Sequence, residues 1–317
     1  MNSLIEIAQV LREKQSILLT AHIMPDGDSI GSLLGLGLAL RSANLCVTMF
    51  SADEVPGRYS FLCGSEQIII GTIPEKVFDL VVTLDCSDHL RVLPIWENIK
   101  GNEIINIDHH PTNKLFGKMN YVDAKAAATG EIVFALLKEM SIPLNKDVAA
   151  ALYVAISTDT GSFKFESTTA NTHRIVAELL EAGASPREIT PIVFDLRTRA
   201  AICVLNQALS TLQFSDDKKI AWVALTEHEM RKCAAKDEDL DGVVNYAKNI
   251  EGVEVGVLFR EKADGTVKVG LRSRYVDVGQ LAATLGGGGH ARAAGCSLEM
   301  TLEQAVQTVI SAVAKQV

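Results

Sequence analysis

Residues 16–43 read SILLTAHIMPDGDSIGSLLGLGLALRSA, and this stretch decides the fold. Its first part, Ser16–His22, is an apolar run of strand length that stops at an imidazole. Pro25, Asp26, Gly27 and Asp28 then break the chain, and Ser29–Ala43 resumes with helical periodicity and small residues at Gly31, Gly35 and Gly37. Moving outward, the same grammar returns. Cys46–Phe50, Asp79–Asp85 and Glu103–Asp108 read as strands, the last two apolar throughout and so expected to be buried on both faces. Thr129–Met140, Lys146–Ser157 and Thr169–Glu181 read as helices. Strands alternating with helices predict an α/β fold with a doubly wound, mainly parallel sheet. The three glycines of the first helix do not form G-x-G-x-x-G after a strand, so a dinucleotide fold is not indicated.

Beyond this region the pattern pauses. Residues 186–213 read as a helical connector without Gly or Ser runs. The pattern then restarts with a strand at Ile220–Leu225, a helix at Glu238–Asn249 and a hairpin of Val253–Glu261 and Thr266–Arg274. A helix near Val278–Leu285, a glycine run, a short strand near Ala294–Leu298 and a helix at Thr301–Lys315 complete it. The expected domains are thus 1–185, the connector 186–213, and a smaller α/β domain 214–317.

The chain has 317 residues, 48% hydrophobic and 22% charged, which fits a globular α/β protein of two domains. The N-terminal segment carries Arg12, Glu13 and Lys14 where a signal peptide needs an apolar core, and no apolar run is long enough to span a bilayer. A cytoplasmic protein without membrane contact is expected. The six cysteines are scattered without a C-x-x-C pair, which argues against a disulfide framework or structural zinc and for reduced, largely buried residues. The net charge of −9 comes without a basic stripe, so long nucleic acid is disfavoured as a partner and small or very short phosphate-bearing molecules are favoured.

The chemistry collects at the ends of the apolar runs. The first runs into His22 and then Asp26 and Asp28, the second into Asp85, the third into Asp108, His109 and His110. A fourth apolar element, Ala149–Thr158, runs into Asp159. Ligands of open parallel sheets bind beyond the carboxyl ends of the strands, so these residues are expected to converge. Any one of them has a plainer explanation: Asp and Ser cap helices, and Asp ends strands as a turn former. Jointly they gather carboxylates and imidazoles that repel one another unless cations neutralise them. Such mixed ligands suit Mn, Fe, Co, Zn or Mg, and two divalent ions would balance Asp26, Asp28, Asp85 and Asp159. In the last third, Gly286–Gly289 precede His290 and Arg292. Consecutive glycines offer backbone amides to an anion, and Arg272, Ser273 and Arg274 lie at the end of the preceding strand.

His22-x-x-x-Asp26-x-Asp28, Asp85, Asp108-His109-His110 and Asp159 resemble the four ordered motifs of the DHH phosphoesterases. The glycine run with His290 resembles the signature of the DHH-associated C-terminal domain. Length and layout look like the branch that removes phosphate from 3′-phosphoadenosine 5′-phosphate (pAp) and degrades RNAs of a few nucleotides. The resemblance implies two divalent ions, manganese foremost. One would be held by His22, Asp26 and Asp85, the other by Asp28, Asp85, His109 and Asp159, with a metal-activated hydroxide attacking phosphorus. It implies that Asp108 orients His109 and that His110 faces substrate. Arg272, Ser273, Arg274, Gly287, Gly288, Gly289 and His290 would hold the substrate's other phosphate as the C-terminal domain closes.

A cyclic di-AMP or linear pApA phosphodiesterase of the same family is the nearest rival. A RecJ-type exonuclease is expected to be longer and more basic, and a family II pyrophosphatase to carry a lysine- and arginine-rich signature in place of the glycine run. A non-catalytic nucleotide-binding regulator would be expected to have lost a metal ligand. The sequence leaves the number of subunits open, a homodimer included.

Overall fold

The computed structural model describes residues 1–92 and 95–317. The chain divides into two compact units, Met1–Leu196 and Arg197–Val317.

The first unit contains α1 (Leu4–Glu13), β1 (Ile17–Ala21), α2 (Gly27–Ser42), β2 (Val47–Ser51), β3 (Ile69–Ile70) and β4 (Leu80–Leu84). It continues with α3 (Trp96–Ile99), β5 (Ile104–Asp108), β6 (Met119–Val122), α4 (Thr129–Glu139), α5 (Lys146–Asp159), α6 (Ala170–Glu181) and α7 (Pro186–Thr190). Its six strands are all parallel in the order β3-β2-β1-β4-β5-β6. The order reverses between β1 and β4, and at that switch point the loops leaving the two strands diverge and open a crevice.

β1, β4 and β5 are buried at every position, as apolar runs without alternation require. One face of the sheet, through Ile17, Leu19, Val82 and Ile105, joins a core with α1, α2, α4, α5 and α6. The other, through Leu18, Val81 and Ile104, meets a smaller cluster with Phe78, Val92 and Ile99. α2 is enclosed on nearly all sides, which is why its apolar residues show little one-sided pattern. Gly31 explains how: a Cβ there would lie 2.4 Å from the Ala151 carbonyl, so only glycine lets α2 sit directly on α5.

The second unit contains α8 (Arg199–Ser210), β7 (Gln213–Phe214), β8 (Ile220–Leu225), α9 (Glu227–Lys232), α10 (Val243–Lys248) and β9 (Val255–Glu261). Then come β10 (Val267–Ser273), α11 (Val278–Thr284), β11 (Gly288–His290), β12 (Ala293–Leu298) and α12 (Leu302–Val313). Its sheet runs β11-β12-β10-β9-β8-β7, antiparallel except for β8 beside β9. One face packs on α11 and α12 through Val257, Phe259, Val269 and Leu271.

Several expectations change. The segment 186–213 is shared between the units: Ile189 and Val193 are buried in the first core, whereas Val204 and Ala208 pack with Val223 in the second. The helix expected at Glu238–Asn249 is broken at Gly242, whose φ of +82° leaves a 3-10 turn before it and α10 after it. Part of the glycine run forms the edge strand β11, which the sequence did not announce, because its backbone pairs with β12. Cys203 and Cys233 are joined in a disulfide, contrary to the expectation of reduced cysteines throughout, and Cys46 and Cys63 are exposed. Thirty residues separate the disulfide partners, so no local motif announces them; α8 and α9 bring them together in one apolar cluster. Among the described residues no helix is long and apolar enough to cross a membrane.

Candidate metal centre

β1 delivers His22 to the crevice, where it is 2% exposed. Its Nδ1 lies 2.7 Å from the Ile23 carbonyl, which turns Nε2 toward Asp26 Oδ2 at 3.6 Å and Asp85 Oδ2 at 3.4 Å. Asp26 divides its carboxylate: Oδ1 accepts from Ser29 N as the N-cap of α2, and Oδ2 faces His22. Asp28, two residues on and 1% exposed, accepts from Thr129 N at 2.6 Å, Gly130 N at 2.9 Å and Ser32 Oγ at 3.0 Å. Ala128, at the start of α4, has no side chain to cap that helix, so Asp28 caps it from a distance of a hundred residues in sequence.

β4 delivers Asp85 at a φ of +55°, a backbone that Asp tolerates better than most residues. Asp85 Oδ2 faces His22 while Oδ1 faces His109 Nε2 at 3.7 Å and accepts from Thr129 Oγ1 at 3.0 Å. β5 ends in Asp108, and His109 Nε2 lies 3.2 Å from Asp159 Oδ2 and 3.8 Å from Asp28 Oδ2. Asp159 ends α5, so the fourth apolar run reaches the site as the helix expected from the sequence. Three overlapping triads result among the described residues, His22–Asp26–Asp85, Asp85–His109–His110 and Asp28–His109–Asp159, each compact enough for a cation.

Asp108 does not hold the His109 ring, contrary to expectation. Its Oδ1 takes His110 Nδ1 at 2.7 Å and the His109 backbone N–H at 2.8 Å, while His109 Nδ1 lies 3.3 Å from Ala126 O. Adjacent residues at a strand end point in different directions, and His110 is the one directed back over the carboxylate. Behind it Asn113 Nδ2 donates to Asp108 Oδ2 at 2.6 Å and Asn106 Oδ1 at 2.8 Å, and Asn106 reaches Thr83 Oγ1 at 3.0 Å. Asn113 and Thr129 were missed in the sequence; a polar residue soon after the imidazole pair and a Thr-Gly opening a helix were their only signals.

The electrostatics are those of a site that attracts positive charge. Burial would lower His22, but the carboxylates of Asp26 and Asp85 outweigh it and raise it to about 10. Burial, then Asp85 and Asp159, push Asp28 well above the carboxylate range, and burial lifts Asp159 to about 6 despite the nearby His109. Burial acts to raise Asp26 too, but His22 holds it down at about 2. His110 is raised, first by its bond to Asp108. A donor set of four carboxylates and two imidazoles, two of the acids forced toward protonation, fits divalent cations.

In the second unit Arg272 and Ser273 end β10, with Arg274 next and its Nε on the Val253 carbonyl at 2.9 Å. Lys248, at the end of α10, is lowered by burial and then by Arg274 and Arg272, so three cations crowd together. Gly288, Gly289 and His290 form the exposed strand β11, and Gly287 precedes it. Arg292 Nη1 turns away to the Val276 carbonyl at 3.0 Å.

The profile of the DHH family N-terminal domain matches residues 16–156, and that of the DHHA1 domain matches residues 217–317. The chain is 34% identical, over 98% of its length and 93% of the relative's, to the bifunctional oligoribonuclease and PAP phosphatase NrnA of Thermus thermophilus. Among solved structures it resembles an exopolyphosphatase-related protein from Bacteroides fragilis, with a TM-score of 0.92, 27% identity, and coverage of 98% and 95% of the two chains. An exonuclease RecJ bound to manganese shares the fold at a TM-score of 0.57 and 16% identity, over 100% and 95% of the chains.

Proposed function

The chain belongs to the DHH family, and on that premise we propose that it is a two-metal phosphoesterase that cleaves pAp and oligoribonucleotides of a few residues. The observation that carries this reading is Asp85, with one oxygen toward His22 and the other toward His109, so that one carboxylate serves two triads. His22, Asp26 and Asp85 would hold one ion, and Asp28, Asp85, His109 and Asp159 the other; manganese suits their mixed oxygen and nitrogen donors. When bound, the ions neutralise the carboxylates and activate water for attack on phosphorus.

The chain's own residues do the rest. The Ile23 carbonyl fixes the tautomer and direction of His22. Asp108 keeps a proton on His110 Nδ1 and favours the imidazolium, leaving Nε2 free to donate to a phosphate oxygen or the leaving group. Arg272, Ser273, Arg274 and the Gly287–His290 segment hold a phosphate that does not react, and that binding energy orients the one that does.

The deciding experiment compares kcat/KM on pAp, pApA, a short RNA and cyclic di-AMP with manganese. Preference for pAp and short RNA is expected. Dominant turnover of cyclic di-AMP or pApA would move the chain to the cyclic-dinucleotide branch, and no turnover of any of them would reject the reading.

A further inference from the structure

The face of the second sheet turned away from α11 and α12 carries an ordered pattern, and Leu258 on it packs with Val204 of α8 and Val244 of α10. Strand pairing sets Arg260, Lys268 and Ser297 side by side in one row across β9, β10 and β12. Two residues along, Leu258, Gly270 and Gly295 make the next row, and Arg272 belongs to the row after that. Lys268 and Arg272 therefore lie on one face about 13 Å apart, four strand residues at the usual rise. Between them the floor is glycine backbone. A Cβ on Gly270 would meet nothing closer than Leu258 Cβ at 3.9 Å, so no neighbour requires a glycine there.

Over the first two rows lies a cavity of about 520 Å³, walled by Asp237 and Leu240 on one side and Gly286 and Gly287 on the other. That volume falls within the range of small-molecule clefts, about 300–1,000 Å³. Its polar groups are Arg260, whose Nε is buried without a hydrogen-bond partner, Lys268 and Ser297 as donors, and Asp237 as acceptor. Asp237 bonds Arg260 at 2.7 Å and Lys268 at 3.2 Å, and Glu227 stands 3.9 Å from Arg260. A bare phosphate site would have no use for the acidic acceptor or the flat apolar floor. A nucleotide uses both: its base lies on the glycine backbone and Leu258, and its phosphate takes the cations.

We infer that this cavity is a subsite for one further nucleotide of an oligoribonucleotide whose preceding phosphate is held at Arg272. The inference rests on the phosphoesterase reading above and adds a length preference: oligoribonucleotides that extend past the phosphate at Arg272 reach the subsite, and pAp does not.

The test uses Gly270→Val, which fills the floor, and Lys268→Glu, which reverses an exposed charge and leaves Arg260 paired with Asp237. With manganese, kcat/KM on a pentaribonucleotide should fall about tenfold or more in each variant, the scale of a lost stacked base, while pAp turnover stays within about twofold, under 0.5 kcal/mol. Binding of the same pentanucleotide by calorimetry, in full-length Asp85→Asn protein where turnover is removed, should weaken in parallel. If the wild type cleaves nothing, the function proposed above fails and the binding comparison still decides the subsite. Unchanged pentanucleotide turnover and binding in both variants, or equal losses on pAp and pentanucleotide, would overturn the inference.

Discussion

Asp108 Oδ1 and His110 Nδ1 lie 2.7 Å apart, and this bond makes the buried carboxylate the partner of the second imidazole of the pair, not the first. The pair acts as a unit. Asp108→Asn should lower kcat by about 10–100-fold, the usual loss for an outer partner. The double variant with His110→Ala should be scarcely worse than His110→Ala alone. The Asp108 bond is the leading cause of His110's raised pKa, so replacing it by the neutral Asn should move the alkaline limb of the kcat profile to lower pH. Additive losses with an unmoved limb would show that the two act separately.

Asp85 faces both His22 and His109, and its positive φ is better kept by Asn than by Ala. Asp85→Asn should lose more than the about 10–100-fold expected of a residue that only orients a ligand. Metal analysis should show fewer than the wild-type number of bound ions, with the far-ultraviolet circular dichroism unchanged. Two tightly bound ions in this variant would refute the bridge.

Thr129 supports the site twice, its N–H on Asp28 and its hydroxyl on Asp85. Thr129→Val keeps the first and loses the second, so manganese affinity should fall by about 10–100-fold, while Thr129→Ser retains it. Asp28→Ala also uncaps α4, which adds about 0.5–2 kcal/mol of destabilisation to the loss of metal, read by denaturant unfolding in chelator.

Without metal, His22 raised to about 10 is protonated at neutral pH, and Asp28 and Asp159 are drawn toward protonation. Ions need the deprotonated ligands. His22 therefore gives up its proton on metal binding anywhere below about pH 10, and Asp159 begins to do so as pH falls toward about 6. Manganese affinity should fall with falling pH. Calorimetry at neutral pH in buffers of different ionisation enthalpy should show net proton release, and its absence would contradict these shifts. Saturating manganese should also raise the melting temperature, since about 2.7 kcal/mol accrues at a free concentration of one hundred times Kd.

The strands were legible in the sequence because parallel strands buried on both faces are uninterrupted apolar runs, and such runs end in conspicuous polar residues. His22, Asp85 and Asp108 are visible for that reason, and they lie at the strand ends as expected. The short strands β3, β6 and β7 were not visible, because edge strands of two to four part-exposed residues carry no periodicity. The break at Gly242 is not visible in the sequence because a single glycine inside a helical pattern is tolerated at a cost of about 1 kcal/mol and need not end the helix.

The sequence by itself determined which side chains this protein can bring to a cation, since residue type and order along the chain are local properties. Only the tertiary structure decided their division of labour. Strand order sets β1 beside β4 and opens the crevice between their ends. Helix α4 brings Thr129 and Gly130 to Asp28 and Asp85, and side-chain direction gives Asp108 to His110 instead of His109. The physical reason is that the bonds of Thr129 and Gly130 to Asp28 and Asp85 join residues 44 to 102 positions apart and depend on how whole elements pack. The Asp108–His110 bond, only two positions long, depends on which way each side chain leaves the strand end.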